Sequence, residues 1–251
     1  VKLTEKGLKL VDEVASEIAD GTSIAPEMSA LSRKEILNAV DFSFRAFAED
    51  GRTDEALVAL DRAAELAPDD AAVHAAQGSV LIDAGREDAG IAAYERAIGL
   101  GPTASAELNE KALALSRAGR FDDAVRILRR MMPLLGKDVE TLNNLAWILA
   151  NASIDPAQGL EFARRARELA PDDAVILDTF GWAAVRAGRA GEAVEPLEQA
   201  LKATDDPEVR GHLAAALHAL GRVDDARAHA RAALAARPAL ANVPEIARAA
   251  R

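Results

Sequence analysis

The chain has 251 residues, of which 50% are hydrophobic and only 4% aromatic, and its formal net charge is −11. This length and composition suffice for a sizeable hydrophobic core, and the scarcity of aromatic and β-branched runs favours helix over strand. The negative charge argues against nucleic acid or an anionic membrane surface as the main partner. Because the chain has no cysteine, disulfides, thiolate metal sites and cysteine nucleophiles are excluded.

Residues 1–36 precede the regular part of the sequence. An apolar stripe at helical spacing runs through residues 1–20 and consists of Leu3, Leu10, Val14 and Ile18. Charges interrupt the stripe throughout, which predicts an amphipathic helix and neither a signal peptide nor a membrane span. A turn-rich connector follows, and "SRKE" at 32–35 is a capping box. We expect the helix to pack on the helices that follow it or in their groove.

A repeat organises the rest of the chain. The dipeptide Gly-Arg recurs at spacings of 34, 34, 69 and 33 residues, and the spacing of 69 is one repeat without the pair plus one extra residue. A glycine at this period between two helical patterns predicts a series of helix hairpins. The register gives six repeats over residues 37–238, which begin at residues 37, 71, 105, 139, 174 and 207.

Small and large apolar residues alternate at fixed positions of each repeat. Positions 8 and 20 are small, as in Gly78 and Gly90, while positions 4, 7 and 11 of the fourth repeat are Leu142, Leu145 and Leu149. This pattern, over about 200 residues, resembles the tetratricopeptide repeat (TPR) family. The resemblance implies an all-α, right-handed solenoid of antiparallel helix hairpins. A short helix at 239–251 is expected to cap its last repeat.

Two departures from the family pattern stand out. Lys111 occupies an apolar position of the third repeat. The fourth repeat replaces Gly-Arg with the longer turn "NASIDPAQG", in which Asp155 can cap a helix, Pro156 suits its first position and Gln158 completes a pattern like a capping box.

We find no pattern of catalytic residues in the sequence. The paired aspartates stand at repeat boundaries and in the first turns of second helices, which favours helix capping over acid–base or calcium chemistry. Two of the four histidines, His212 and His218, project about 120° apart on a helix, so they are poorly placed to share a metal. Phosphate-binding, nucleophile-elbow and zinc-protease motifs are absent. We therefore predict no enzyme activity, no metal and no cofactor.

The two tryptophans, Trp147 and Trp182, both stand at position 9 of their repeats. In the TPR family, positions 2, 5, 9, 12 and 13 of the first helix face the concave groove. The resemblance therefore predicts a partner-binding groove in repeats three to five, made of Asn109, Leu113 and Arg117, then Asn143, Trp147 and Asn151, and finally Asp178, Trp182 and Arg186. Largely exposed indoles are expected to anchor the partner, and the amides to bind an extended peptide backbone.

Two other interpretations of the tryptophans stay open, because either ring can pack against the next repeat or be covered by the N-terminal helix. The family's carboxylate clamp for chaperone termini needs Lys and Asn at groove positions that here carry Asp41, Arg45, Ala75 and Ser79. A chaperone terminus is therefore not the expected ligand.

The sequence thus predicts a non-catalytic scaffold or adaptor that binds a protein or peptide partner, without nucleic acid and without membrane insertion. Its Ala- and Arg-rich repeats look like those of bacterial TPR proteins, with a likeness to envelope proteins linked to exopolysaccharide export. The sequence leaves the location of the protein open among the periplasm, the envelope and the cytoplasm. The alternative is a regulatory or targeting domain of a larger protein, possibly an enzyme.

Overall fold

The computed structural model describes residue 47, residues 52–101 and residues 103–251, and the chain divides into two compact units, 1–111 and 112–251. The predicted helix at 1–20, the connector and nearly all of the first helix of repeat one lie outside the described residues. Within the described part, every regular element is a helix, which confirms the predicted all-α class.

The first unit contains helix hairpins that pack in chain order. Its helices are α1 (Thr53–Leu66), α2 (Ala71–Asp83), α3 (Glu87–Leu100) and the first part of α4 (Thr103–Arg117). Helix α2 packs against both α1 and α3.

The second unit continues the same arrangement. It holds the end of α4, then α5 (Phe121–Leu135), α6 (Val139–Asn151), α7 (Pro156–Leu169), α8 (Ala174–Arg186), α9 (Val194–Thr204), α10 (Pro207–Ala219), α11 (Val223–Ala236) and α12 (Pro244–Ala249), with short 3₁₀ turns at Ala190–Glu192 and Pro238–Asn242. From α5 onward, consecutive helices pack together, and α8 also contacts both α6 and α10, the helices two places before and after it.

Aspartates begin many of these helices. Each of the following accepts a hydrogen bond from a backbone N–H of the first turn, which would otherwise have no partner in the helix: Asp70, Asp138, Asp155, Asp173 and Asp206. Other acidic pairs lie within a first turn, as Asp122 and Asp123 do in α5. The capping interpretation of the paired aspartates is confirmed.

The turns after the first helices need left-handed backbone. Gly85, Gly119, Gly188 and Gly221 have φ between 73 and 77°, as the glycine period predicts. The fourth repeat uses Ser153 instead, at φ 56°. Asp155 then caps α7 by accepting from the backbone N–H of Gln158 at 2.9 Å.

The second half of the predicted capping box does not form. The Gln158 side chain does not return to Asp155, because its oxygen accepts a hydrogen bond from Arg129 on α5. The side chain therefore links two second helices, α5 and α7, across neighbouring repeats.

Small residues allow the helices to approach closely. A Cβ on Gly78 would lie 2.5 Å from the ring of Tyr94, and a Cβ on Gly181 would collide with Leu197. Tyr94 is buried, and this burial raises the pKa of its phenol. Glycine at position 8 thus makes room for the large side chain of the partner helix.

Lys111, the lysine at an apolar position, has an acidic partner. Its side chain is 11% exposed, and its Nζ lies 2.5 Å from a carboxylate oxygen of Asp83 on α2. The ion pair links α4 to α2 of the preceding repeat. No helix in the described parts of the chain has the length and apolarity that crossing a bilayer requires.

Candidate protein-interaction site

Three successive first helices, α6, α8 and α10, pack side by side in the second unit. Residues four apart share one side of a helix, so each of these helices presents a row of side chains. We call the following set the indole face: Asn143, Trp147 and Asn151 on α6, Asp178, Trp182 and Arg186 on α8, and His212 on α10.

Trp182 is buried. Its side chain is only 1% exposed, and the ring of His212 stacks on it with centroids 4.4 Å apart and planes at 20°. The expectation of a largely exposed Trp182 is therefore not met, because the next hairpin supplies an aromatic ring that covers the indole. Trp182 therefore packs against the next repeat, which is one of the interpretations that the sequence left open.

Trp147 has a different environment although it holds the same repeat position. It is half-buried and keeps part of its surface in solvent. Its ring centroid lies 6.0 Å from that of His212, with the planes tilted at 52°. Trp147 is thus the indole through which this face can still contact a partner.

His212 is the residue that sequence reasoning missed at this site. Its Nδ1 lies 2.8 Å from Asp178 Oδ1, and the ring N–H donates to the carboxylate. The bond fixes the ring against Trp182. A signal was available, since Asp178 and His212 are 34 residues apart, which is one repeat period.

Arg186 joins three parts of the second unit. Its guanidinium carbon lies 5.4 Å from the centroid of the Trp182 ring. The guanidinium also donates to Glu245 on α12 at 3.2 Å and to the hydroxyl oxygen of Ser153, in the turn after α6. The predicted groove arginine is therefore held by internal partners on three sides.

Amides beside the indoles retain unused hydrogen-bonding capacity. Asn143 is 9% exposed, and its side-chain oxygen is buried without a hydrogen-bond partner. The side-chain nitrogen of the adjacent Asn144 and the indole nitrogen of Trp182 are likewise buried without a partner. Asn151, at the end of α6, is exposed.

The other predicted groove residues lie on α4. Asn109 belongs to the first unit and is fully buried, so the structure does not show an amide open to a ligand there. Leu113 is half-buried and Arg117 is exposed, and both belong to the second unit. Of the nine predicted groove residues, the structure brings Trp147, Trp182, Asp178 and Arg186 together around His212.

A family model described as tetratricopeptide repeat matches residues 43–105 and 179–241, which together make up half of the chain. A TPR repeat-containing protein of Pseudomonas aeruginosa is 39% identical over 72 residues, a stretch that covers 29% of this chain and 12% of that relative. The chain therefore matches only a small part of that relative's length.

Two solved structures align with most of the chain. A thermophilic TPR protein of Thermus thermophilus is 24% identical with a TM-score of 0.47, and the match covers 72% of this chain and 97% of that one. The pilF protein of Pseudomonas aeruginosa is 17% identical with a TM-score of 0.49, and the match covers 82% of this chain and 94% of that one. At these scores, the likenesses carry nothing about function.

Proposed function

Because the chain belongs to the tetratricopeptide repeat family, we propose that it is a non-catalytic scaffold or adaptor that binds an extended segment of a partner protein on the indole face. TPR proteins are generally non-enzymatic scaffolds for protein interactions. The six-repeat organisation over 37–238, with a helical segment before it and a capping helix over 239–251, belongs to the same proposal. The helix starts at Ala71, Val139, Ala174 and Pro207 support that register.

One observation carries the choice of this face. A half-buried indole, Trp147, lies on the same helix as buried amide groups that have no partner, on Asn143 and Asn144. A buried polar group without a hydrogen bond costs about 1–3 kcal/mol. A peptide backbone offers both an N–H and a C=O, so a segment bound beside Trp147 can supply a partner for the side chain of Asn143, which lies one helical turn from the indole.

The remaining predicted residues have roles at the margin of this face. Asn151 is exposed at the end of α6 and can bond to a peptide backbone. Leu113 and Arg117 extend the proposed surface towards α4, and Asn109 belongs to it only by its repeat position. Asp178, Trp182 and Arg186 support the face from α8, where their contacts with His212 and Glu245 hold the rings in place.

The experiment that tests this proposal selects peptides and then removes the exposed anchor. The immobilised chain is used to select binders from a displayed random-peptide library, and the binders are measured again with Trp147→Ala. We expect Trp147→Ala to weaken binding by about 2 kcal/mol or more, as truncation of an interface anchor does.

The matched control is Leu134→Ala, which shortens an exposed apolar side chain on α5, outside the indole face. It should bind the selected peptides as the wild type does. If the peptides bind Trp147→Ala and the wild type equally well, the indole face is not the binding site.

A further inference from the structure

Trp182 already has a cation on its ring. Arg186 follows it by four residues at the end of α8, and the guanidinium carbon lies 5.4 Å from the ring centroid. This separation is within the range of a cation–π contact. The second unit therefore shows that an indole at position 9 can bind a guanidinium supplied from position 13.

Trp147 has the equivalent place one repeat earlier but no equivalent cation. Helices α6 and α8 have 13 residues each, and where α8 ends with Arg186, α6 ends with Asn151. In the described parts of the chain, no guanidinium lies over the Trp147 ring, which remains half-buried. Among the described residues, the negative ring face that Arg186 covers in one repeat is therefore left without a cation in the other.

The charges around the face also favour a cation. The chain carries a net charge of −11, and Asp178, whose side chain is 16% exposed, faces His212 on the neighbouring helix. The positive charge of Arg186 is compensated by Glu245 at 3.2 Å. The net negative charge of the protein therefore attracts a positively charged group to Trp147. Arg186 does not oppose it strongly, because its charge is paired with that of Glu245.

We infer that Trp147 is a receptor for a cationic side chain, arginine or lysine, carried by the partner segment. This inference rests on the proposed function and specifies the chemistry of the segment that the indole face takes. In the bound state, the partner's cation lies on the Trp147 ring as Arg186 lies on that of Trp182, and the backbone of the segment bonds to the Asn143 amide.

The test supplies the missing cation from within the chain. Asn151→Arg copies the arrangement of α8 onto α6, so that the protein's own guanidinium covers Trp147. Ala203→Arg adds the same charge at an exposed position of α9, outside the indole face, and controls for the general loss of attraction to a basic peptide.

The probes are a capped peptide of repeated Ser-Ala-Arg-Ala units, its analogue with uncharged citrulline in place of arginine, and its analogue with glutamate. Titration calorimetry with the wild-type chain should give the arginine peptide an affinity on the order of tenfold above that of the citrulline peptide, which a desolvated cation–π contact supplies. Asn151→Arg should abolish this preference, whereas Ala203→Arg should retain it. A melting curve on each variant confirms that it is folded.

Two results would overturn the inference: an arginine peptide that binds the wild type no more tightly than the citrulline peptide, or a preference that survives in Asn151→Arg. The proposed function fails separately, when peptides selected from the display library bind Trp147→Ala as well as the wild type. If selected peptides without basic residues depend on Trp147, the proposed function stands and the cation receptor does not.

Discussion

At the scale of single residues, Trp147 and Trp182 show how one repeat position can serve two purposes. Trp182 lies between His212, which stacks on it, and Arg186, whose guanidinium lies near its ring. Among the described residues, no ring stacks on Trp147 and no cation lies on it, and part of its side chain reaches solvent. Whether each ring stabilises the fold or remains available to a partner therefore depends on two neighbours. One is the residue four positions after the indole, and the other is the residue that faces it from the next hairpin.

This difference predicts unequal effects on stability. Trp182→Ala should lower the free energy of unfolding by about 3–5 kcal/mol, because it removes a fully buried ring and leaves a cavity. Leu145→Ala, at another fully buried position, should cost about 2–5 kcal/mol. Trp147→Ala should cost clearly less than either. Urea denaturation of the three variants measures these values, and equal losses for the two tryptophan variants would contradict the burial difference.

At the scale of helices and turns, the connection after each first helix is a local device. Gly188 has φ 73°, and nothing lies within 4 Å of the place where a Cβ would be added. Any cost of a side chain there is therefore conformational and not steric. Ser153 adopts the left-handed region without glycine, and its hydroxyl accepts a hydrogen bond from Arg186.

Gly188→Ala should therefore destabilise the protein by about 1–2 kcal/mol, the cost of forcing an L-residue into the left-handed region. Gly191→Ala is the matched control, because Gly191 lies three residues later, also has open space around it and does not have a positive φ. Thermal unfolding should show a lower Tm for Gly188→Ala alone. A similar Tm for both variants would mean that the turn relaxes around the new side chain.

These local features could be predicted from the sequence because their causes lie within a few residues. The aspartate caps, the positive-φ glycines and the small residues at position 8 all follow from helix termini and close packing. The ring contacts of Trp182 could not be predicted from the sequence, because its partner, His212, lies on another hairpin. Whether the indole is stacked or exposed depends on how the side chains of the two hairpins pack. The contact of Gln158 could not be predicted for the same reason. Its side chain bonds to Arg129, which is distant in the sequence, and not to the nearby Asp155.

At the scale of the whole molecule, the helices from α5 onward pack against elements close to them in the chain, as in repeat proteins. Helix α12 packs against α10 and α11 in the second unit. Its Ile246 is fully buried and lies against Gly211 of α10, where an added Cβ would be 2.7 Å from the isoleucine side chain. Helix α12 is thus held on α10 by close packing at this glycine.

Nearest-neighbour packing predicts that damage stays local. Ile246→Ala should cost about 2–5 kcal/mol and should speed amide hydrogen exchange mainly in α10 and α11, the helices that contact α12. Ile148→Ala, at a fully buried position of α6, should affect α6 and α7 instead. Hydrogen exchange read by mass spectrometry distinguishes the two patterns, and a uniform loss of protection in both variants would show that the second unit unfolds as one block.

The placement of the aromatic residues also has an optical consequence. Trp147 and Trp182 are the two tryptophans of the chain, and Tyr94 is its single tyrosine. Both indoles lie in the second unit beside His212, whereas Tyr94 lies in the first. Tryptophan emission excited at the red edge of the absorption band therefore comes from the second unit alone. The indole face carries its own intrinsic fluorophores, and its unfolding or occupancy can be recorded without attaching a dye.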